Sequence, residues 1–252
     1  MISPRFFVAT VLAALLAIFS PTAFGEVIKV SSDPWEPWVI GNPGEEAKGG
    51  TGVNIAREIA RRLNKTFEIR IYPYERCLKQ MQSGERDMLL MVKKTPERET
   101  YMAFSDVAST DPQLVYYNPE KIKSFEWNTW ADFKPYRIGL VRGFDYGEFT
   151  KAAKTHPLQI EPVANDNQNI KKLFAGRLDL ILVNRSTMLF FLDNNSDFRY
   201  ELKHASKPVS NASFHIGLAR KGKAISLLPE INRVLREMKS DGTLNRLNAT
   251  IN

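Results

Sequence analysis

Two stretches far apart in the chain restrict its fold more than anything else in it. One runs Gln82-Ser-Gly-Glu-Arg-Asp87 into Met88-Leu-Leu-Met-Val92, the other Ala175-Gly-Arg-Leu-Asp179 into Leu-Ile-Leu-Val183. Each reads as a helix end, a glycine, an aspartate and an unbroken apolar run. Glycine suits the left-handed residue that closes a helix. A strand with one wet face alternates polar and apolar residues, whereas an unbroken run of this length fits a strand covered on both faces, as in a parallel sheet. The recurrence predicts two similar α/β units, with chance repetition of a common helix ending as the competing explanation.

The surrounding sequence fits that plan. Val27 to Val30 reads as a strand, followed by a loop from Ser31 to Thr51 punctuated by Pro34, Pro37 and Pro43. A helix is predicted from Val53 to Leu63, with Val53, Ile55, Ala56, Ile59, Ala60 and Leu63 on one face and Arg57, Glu58, Arg61 and Arg62 opposite. Phe67, Ile69 and Ile71 alternate as a strand, a helix covers about 75–82, and Met88–Val92 is the buried strand. The order then restarts: strand Arg137–Val141, helix Tyr146–Ala153, strand Leu158–Val163, a helix capped by Asn167 and running to Phe174, and strand Leu178–Val183. An amphipathic helix from Ile225 to Met238, a turn at Asp241-Gly242 and a short last helix complete the chain. Strand–helix alternation of this kind makes an open α/β sheet.

At the amino terminus, Arg5 precedes an apolar run from Phe6 to Phe19. A spanning helix needs about 20 apolar residues, so the run reads as a secretory leader, with Ala23-Phe24-Gly25 as its cleavage tripeptide and Glu26 as the first mature residue. An uncleaved anchor is the alternative. The single cysteine, Cys77, leaves no internal disulfide, and its place beside Leu78 and Met81 assigns it to packing. The formal charge of +7 becomes +6 once Arg5 leaves. Its basic pairs are dispersed and lack interleaved aromatics, which argues against nucleic acid as a partner.

The run Gln82–Asp87, then Thr95-Pro-Glu-Arg98, then Phe104-Ser-Asp106 resembles the family of periplasmic solute-binding proteins that serve polar amino-acid ABC importers. Trp35-Glu-Pro-Trp38 and Asp241-Gly-Thr-Leu support the resemblance, which covers nearly the whole mature chain. It implies a two-lobed periplasmic-binding-protein fold of type II: two open, mostly parallel sheets joined by two crossing hinge strands. Lobe one would comprise 26–117 and 211–252, lobe two 118–210, with the leader at 1–25. Ligand would bind between the lobes, which would close on it.

The resemblance also implies the site. Arg98 would grip a ligand carboxylate with its planar fork, with Thr95 adding a hydroxyl; a surface salt bridge to Glu97 or Glu99 is the competing use of Arg98. Trp35 and Tyr74 would sandwich the ligand, with Tyr72 a rival to Tyr74. Lobe two would offer Arg142, Gly143, Phe144 and Asp145, whose backbone N–H groups could cradle an anion. Two departures stand out: Asn184 sits near where the family commonly has an aspartate for the ligand's ammonium, and Lys93 replaces a small hydroxylic residue. The site therefore reads as richer in cations than an ordinary amino-acid site, and as requiring a carboxylate more strictly than an α-ammonium.

The function implied is capture of a small polar, carboxylate-bearing ligand, with an inner-membrane ABC permease or a sensor as partner and a monomer as the working form. No cofactor is expected, and no metal, since His156, His204 and His215 lack ligand spacing. The alternatives are an enzyme on the same fold, because some relatives dehydrate cyclic acids, and a sensor-delivery receptor. The usual hydrolase and phosphate-loop motifs are absent, so no catalytic residue is assigned.

Overall fold

The computed structural model describes residues 27–198 and 202–249; the leader expected at 1–25 lies outside them. Strands β1 (Val27–Ser32), β2 (Thr66–Ile71) and β3 (Met88–Val92) alternate with helices α1 (Thr51–Arg62) and α2 (Tyr74–Ser83). The first sheet runs β2-β1-β3 in parallel, with Val30 against both Ile69 and Met88. After α3 (Pro96–Glu99) and β4 (Met102–Phe104), the long β5 (Ser109–Tyr117) leads into the second unit. There β6 (Arg137–Val141) lies parallel to β7 (Gln159–Val163) on one side and β8 (Leu180–Asn184) on the other. Helices α4 (Glu148–Thr155), α5 (Asp166–Phe174) and α6 (Arg185–Asn194) and the short β9 (Lys203–His204) complete it. The chain returns through β10 (Ser210–Ala219) to α7 (Leu228–Ser240) and α8 (Thr243–Asn248).

Two strands join the lobes. The first half of β10 pairs antiparallel with β5, Phe214 opposite Ser109, while its second half pairs with β3 and β4. The far half of β5 pairs with β8, Tyr117 opposite Leu180. The cleft between the lobes therefore opens beside β5 and β10.

Both apolar runs are buried on two faces, as expected. Met88 and Leu90 enter one core with Val30, Ile55 and Ile231, while Leu89 and Val92 enter another with Cys77 and Met81. Leu180 and Leu182 pack with Phe133 and Phe149, and Ile181 and Val183 with Ile170 and Leu173. The two aspartates make the same connection in each lobe. Lys29 N donates to Asp87 Oδ2 at 2.8 Å and Asp87 N to Lys29 O at 2.8 Å. Arg137 N donates to Asp179 Oδ2 at 2.8 Å and Asp179 N to Arg137 O at 2.9 Å. Each aspartate thus locks the beginning of one strand to the beginning of its parallel neighbour, β1 to β3 and β6 to β8, with Gly84 at φ 79° and Gly176 at φ 66° making the preceding turn. A shared device at this level is a repeated unit, not a coincidence of helix endings.

Three expected boundaries move. Asn165, not Asn167, caps α5, its side chain accepting from Gln168 N at 3.0 Å. The helix expected from Tyr146 starts at Glu148, because Tyr146 is tucked inside, its hydroxyl taking the Val141 N–H at 2.8 Å, and Gly147 turns at φ 63°. The helix expected from Ile225 starts at Leu228 behind a 3-10 turn, since Pro229 has no N–H and fits only a first helical turn.

Candidate functional site

The site begins with an irregularity in β3. Opposite it, two steps of β10 from His215 to Gly217 match three steps from Val92 to Leu89, so β3 carries one extra residue. Met91 adopts φ 50°, a left-handed backbone uncommon outside glycine. A bulge re-aims the side chains that follow it, and here they include Lys93 and Arg98. Thr95 caps the next turn by accepting from Arg98 N at 3.2 Å, with Pro96 following it.

Arg98 is only 5% exposed. Its Nη1 donates to Lys93 O at 2.9 Å, its Nη2 to Gly143 O at 2.9 Å, and its Cζ lies 5.6 Å from the centre of the Tyr74 ring. The surface ion pair in this segment is Lys94 with Glu99 instead. Lys93 Nζ donates to Gln113 Oε1 at 3.1 Å and to Asp145 O at 2.6 Å. Burial lowers the Lys93 pKa to about 8, the Asp145 charge opposing and the Arg98 charge adding to that shift. Both cations of lobe one thus hold backbone carbonyls of the 143–145 loop of lobe two.

From lobe one, Asp33, Trp35, Tyr74, Met91, Lys93 and Arg98 line a cavity; the crossing strands add Gln113 and Phe214, and lobe two adds Phe144, Asp145 and Asn184. Phe144 stands between the expected aromatic walls, edge-on to Tyr74 at 4.8 Å and to Trp35 at 5.7 Å between ring centres. About 20 Å³ remains open to the centre of a water-sized sphere, against about 10–15 Å³ for a single water. The lobes are closed on each other, and a larger guest enters only when the 143–145 loop withdraws.

The expected residues divide clearly. Trp35, Tyr74, Lys93, Arg98, Phe144, Asp145 and Asn184 meet at the cavity. Thr95 lies outside the lining, its hydroxyl oxygen accepting from Arg98 N as a helix cap; Arg142 is exposed away from the lining, and Gly143 contributes its carbonyl to Arg98. Tyr72 instead lies against Arg76, 4.8 Å from ring centre to guanidinium. Part of the expected anion cradle is engaged internally: the amides of Arg142 and Phe144 donate to Val163 O and Val141 O, and past them those of Tyr146 and Gly147 donate to Thr150 Oγ1 and Asp145 Oδ1. Asn184 donates to Asp111 O at 3.3 Å.

Asp33, Met91, Gln113 and Phe214 escaped the sequence reading, and Asp33 changes the electrostatics most. Burial raises its pKa to about 7, with its own backbone N–H and the charge of Arg98 pulling the other way. A carboxylate at the cavity offsets the cationic surplus read from Lys93 and Asn184. Its signal was available: Asp33 follows the carboxyl end of β1, where open α/β sheets place ligands. Gln113 and Phe214 gave none, because the crossing of β5 and β10 is a tertiary fact.

Among the described residues, no helix is long and apolar enough to cross a membrane, and no group of three His, Cys, Asp or Glu side chains is placed to hold a metal ion.

The profile of the bacterial extracellular solute-binding proteins, family 3, matches residues 28–251. The chain is 24% identical over 250 residues to the ABC transporter arginine-binding protein 1 of Escherichia coli, covering 94% of this chain and 96% of that one. It is 22% identical over 215 residues to the L-cystine-binding protein TcyA of Bacillus subtilis, covering 84% and 76%. An ancestral arginine-binding protein bound to arginine superimposes with a TM-score of 0.76 at 21% identity, covering 90% of this chain and 98% of its own.

Proposed function

Because the chain belongs to the bacterial extracellular solute-binding proteins of family 3, we propose that its cleft captures an amino acid, with the ligand carboxylate on Arg98 and its ammonium towards Asp33, for delivery to an inner-membrane ABC permease. The observation that carries this reading is the pairing in one cavity of a buried guanidinium and a buried carboxylate, Arg98 and Asp33. Arg98 already presents Nη2 to a carbonyl oxygen, Gly143 O; a carboxylate there makes stronger, charge-assisted bonds. Trp35 and Tyr74 supply apolar faces for the ligand's carbon skeleton once Phe144 swings away.

The proposal extends to the whole molecule. Lobe one comprises 26–117 and 211–252, lobe two 118–210. The protein works as a monomer in the periplasm after loss of the leader at 1–25, and it binds rather than transforms its ligand.

The test is a thermal-shift screen of amino acids against their deaminated and decarboxylated analogues. At a hundred times Kd, a ligand stabilises by about 2.7 kcal/mol, and at about 2–4 °C per kcal/mol the amino acids should raise Tm clearly while both analogue sets act weakly. Stabilisation by deaminated acids alone would remove Asp33 from the reading; stabilisation by decarboxylated amines alone would remove Arg98.

A further inference from the structure

Where β5 crosses between the lobes, two neighbouring stretches of it are tied to different bodies. On the lobe-one side, Asn248 at the end of α8 reaches two consecutive residues: its Oδ1 accepts from Ser109 Oγ at 2.6 Å and its Nδ2 donates to Ala108 O at 3.1 Å. On the lobe-two side, Asp111 Oδ2 accepts from Ser186 N at 3.2 Å and from Ser186 Oγ at 2.7 Å in the first turn of α6, while Asp111 O accepts from Asn184 Nδ2 at 3.3 Å. Ser109 and Asp111 are both buried, and a satisfied buried polar network fixes one arrangement of its members. Only Thr110 separates the two ties, and it is exposed.

Thr110 also has room. A groove of about 260 Å³ lies between this strand and the last two helices, with Val107 and Thr110 on one wall and Lys239, Leu244 and Asn245 on the other. A segment that bends needs such space, which a close-packed interior does not give. The second crossing strand, β10, passes from Val209, packed against the lobe-two core, to Phe214 in the lobe-one core. That span is longer, so β5 sets the tighter limit. A bend at Thr110 parts the bonds that cross the cleft: Arg98 with Gly143 O, Lys93 with Asp145 O, and Asn167 Nδ2 with Glu36 Oε2 at 3.2 Å, beside which Asp166 lines the seam.

We propose that the lobes turn about Thr110 and that Asn248 and Asp111 are positioning residues that confine the bend to it. The last helix, α8, contributes nothing to the cavity lining, yet through Asn248 it governs how sharply the open and closed arrangements are defined. The inference rests on the reading of the main cleft as a site that closes. Hinges concentrate the backbone change in a few residues. Without either tie the bend spreads to the neighbours of Thr110, and each residue so freed has backbone freedom that closure must remove.

Double electron–electron resonance tests this, with spin labels on Lys65→Cys in lobe one and Lys154→Cys in lobe two, both exposed positions. Cys77 is buried and stays unlabelled. The spread of label separations is read without ligand, so a failure here leaves the main-cleft reading standing, and that reading answers to its own amino-acid screen. Asn248→Ala, from lobe one, and Ser186→Ala, from lobe two, should each give a wider distribution than the labelled parent. Asn232→Ala is the control: it strips Asp106 N of an acceptor at 2.8 Å in the same segment but outside the ties, and should leave the width unchanged. If Asn248→Ala lowers Tm and leaves the width as it was, Asn248 is a structural brace and the proposal is overturned. Equal widening in Asn232→Ala overturns it too, because the bend is then not confined to Thr110. Should Asn248→Ala fail to fold, Ser109→Ala takes its place, since it removes one of the two Asn248 bonds and keeps the other; it should widen the distribution by a smaller amount, and an unchanged width there overturns the proposal.

Discussion

Arg98 holds two backbone carbonyls, one in each lobe, with a single planar group. A ligand carboxylate must displace Gly143 O from Nη2 while Nη1 keeps Lys93 O, so the arginine stays positioned as it changes partner. Truncating one member of a buried charged pair costs about 2–5 kcal/mol, roughly 1.5 to 4 decades of affinity. Arg98→Ala should lose amino-acid binding by that factor in calorimetry, and Arg98→Lys should recover only part of it, because an ammonium cannot present two parallel donors. Lys65→Ala, at an exposed position past the end of α1, should bind as wild type does. Unchanged affinity in Arg98→Ala would leave the guanidinium as a lobe-to-lobe clasp and nothing more. At this scale the sequence was informative where chemistry follows a local frame: Arg98 sits three residues from Thr95 in a cap whose geometry the T-P-E-R order dictates. It reached less far where the frame was right but the contact distant. Thr95 and Arg142 lie beside the site in sequence and serve the helix cap and the solvent.

The element that most defines each lobe is the aspartate between helix and buried strand. Asp87 accepts from Lys29 N at 2.8 Å and from Lys223 N at 3.1 Å, joining β1 and the turn before α7 at one point. Asp179 joins β6 to the turn before β8 and also takes the Arg137 guanidinium, whose hydrogen bond is the largest cause holding the Asp179 carboxyl below its ordinary range. Asp87→Ala strips two amides of their acceptor, and at about 1–3 kcal/mol for each buried group left unpaired it should lower Tm by several degrees, about 2–4 °C per kcal/mol at this size. Asp87→Asn keeps one acceptor oxygen but turns an NH2 group towards the other amide, since Lys29 N and Lys223 N use different oxygens, and should recover only part of the loss; equal melting of Asp87→Ala and wild type would mean that the lock contributes nothing. This unit was legible because helix end, glycine, aspartate and apolar run are contiguous, so local pattern and tertiary role coincide. The bulge at Met91 was not: a left-handed methionine inside an apolar run has no mark in the sequence and shows only when β10 is laid beside β3.

For the whole molecule the balance is between closed and open lobes, and two carboxylates make it depend on pH. In the closed form burial raises both Asp33 and Asp166 to about 7. Opening hydrates them, so their pKa values should fall towards the ordinary value of about 3.9. The closed state therefore binds more protons than the open one between these limits. Closure is most favoured below the open-state pKa and loses that advantage as pH rises through about 7, by at most about 1.4 kcal/mol per group per pH unit. The pairs with strongly depressed carboxylates, Glu58 with Arg61 and Arg62, and Asp241 with Arg62, lie wholly within lobe one and are the same in both states, so they leave this balance alone. Lys93 moves oppositely: burial lowers it to about 8, so its contribution to closure begins to change only above that pH. Small-angle scattering of ligand-free protein should accordingly give a smaller radius of gyration at pH 5 than at pH 7.5. Replacing both aspartates, Asp33→Asn with Asp166→Asn, should flatten the dependence and leave the variant as compact at pH 7.5 as wild type is at pH 5. A radius that is constant over this range in wild type, or that shrinks towards pH 7.5, would show that closure does not rest on these two carboxylates and would leave the bonds of Arg98 and Lys93 to the 143–145 loop, with the aromatic contacts of Phe144 with Trp35 and Tyr74, as what holds the lobes together.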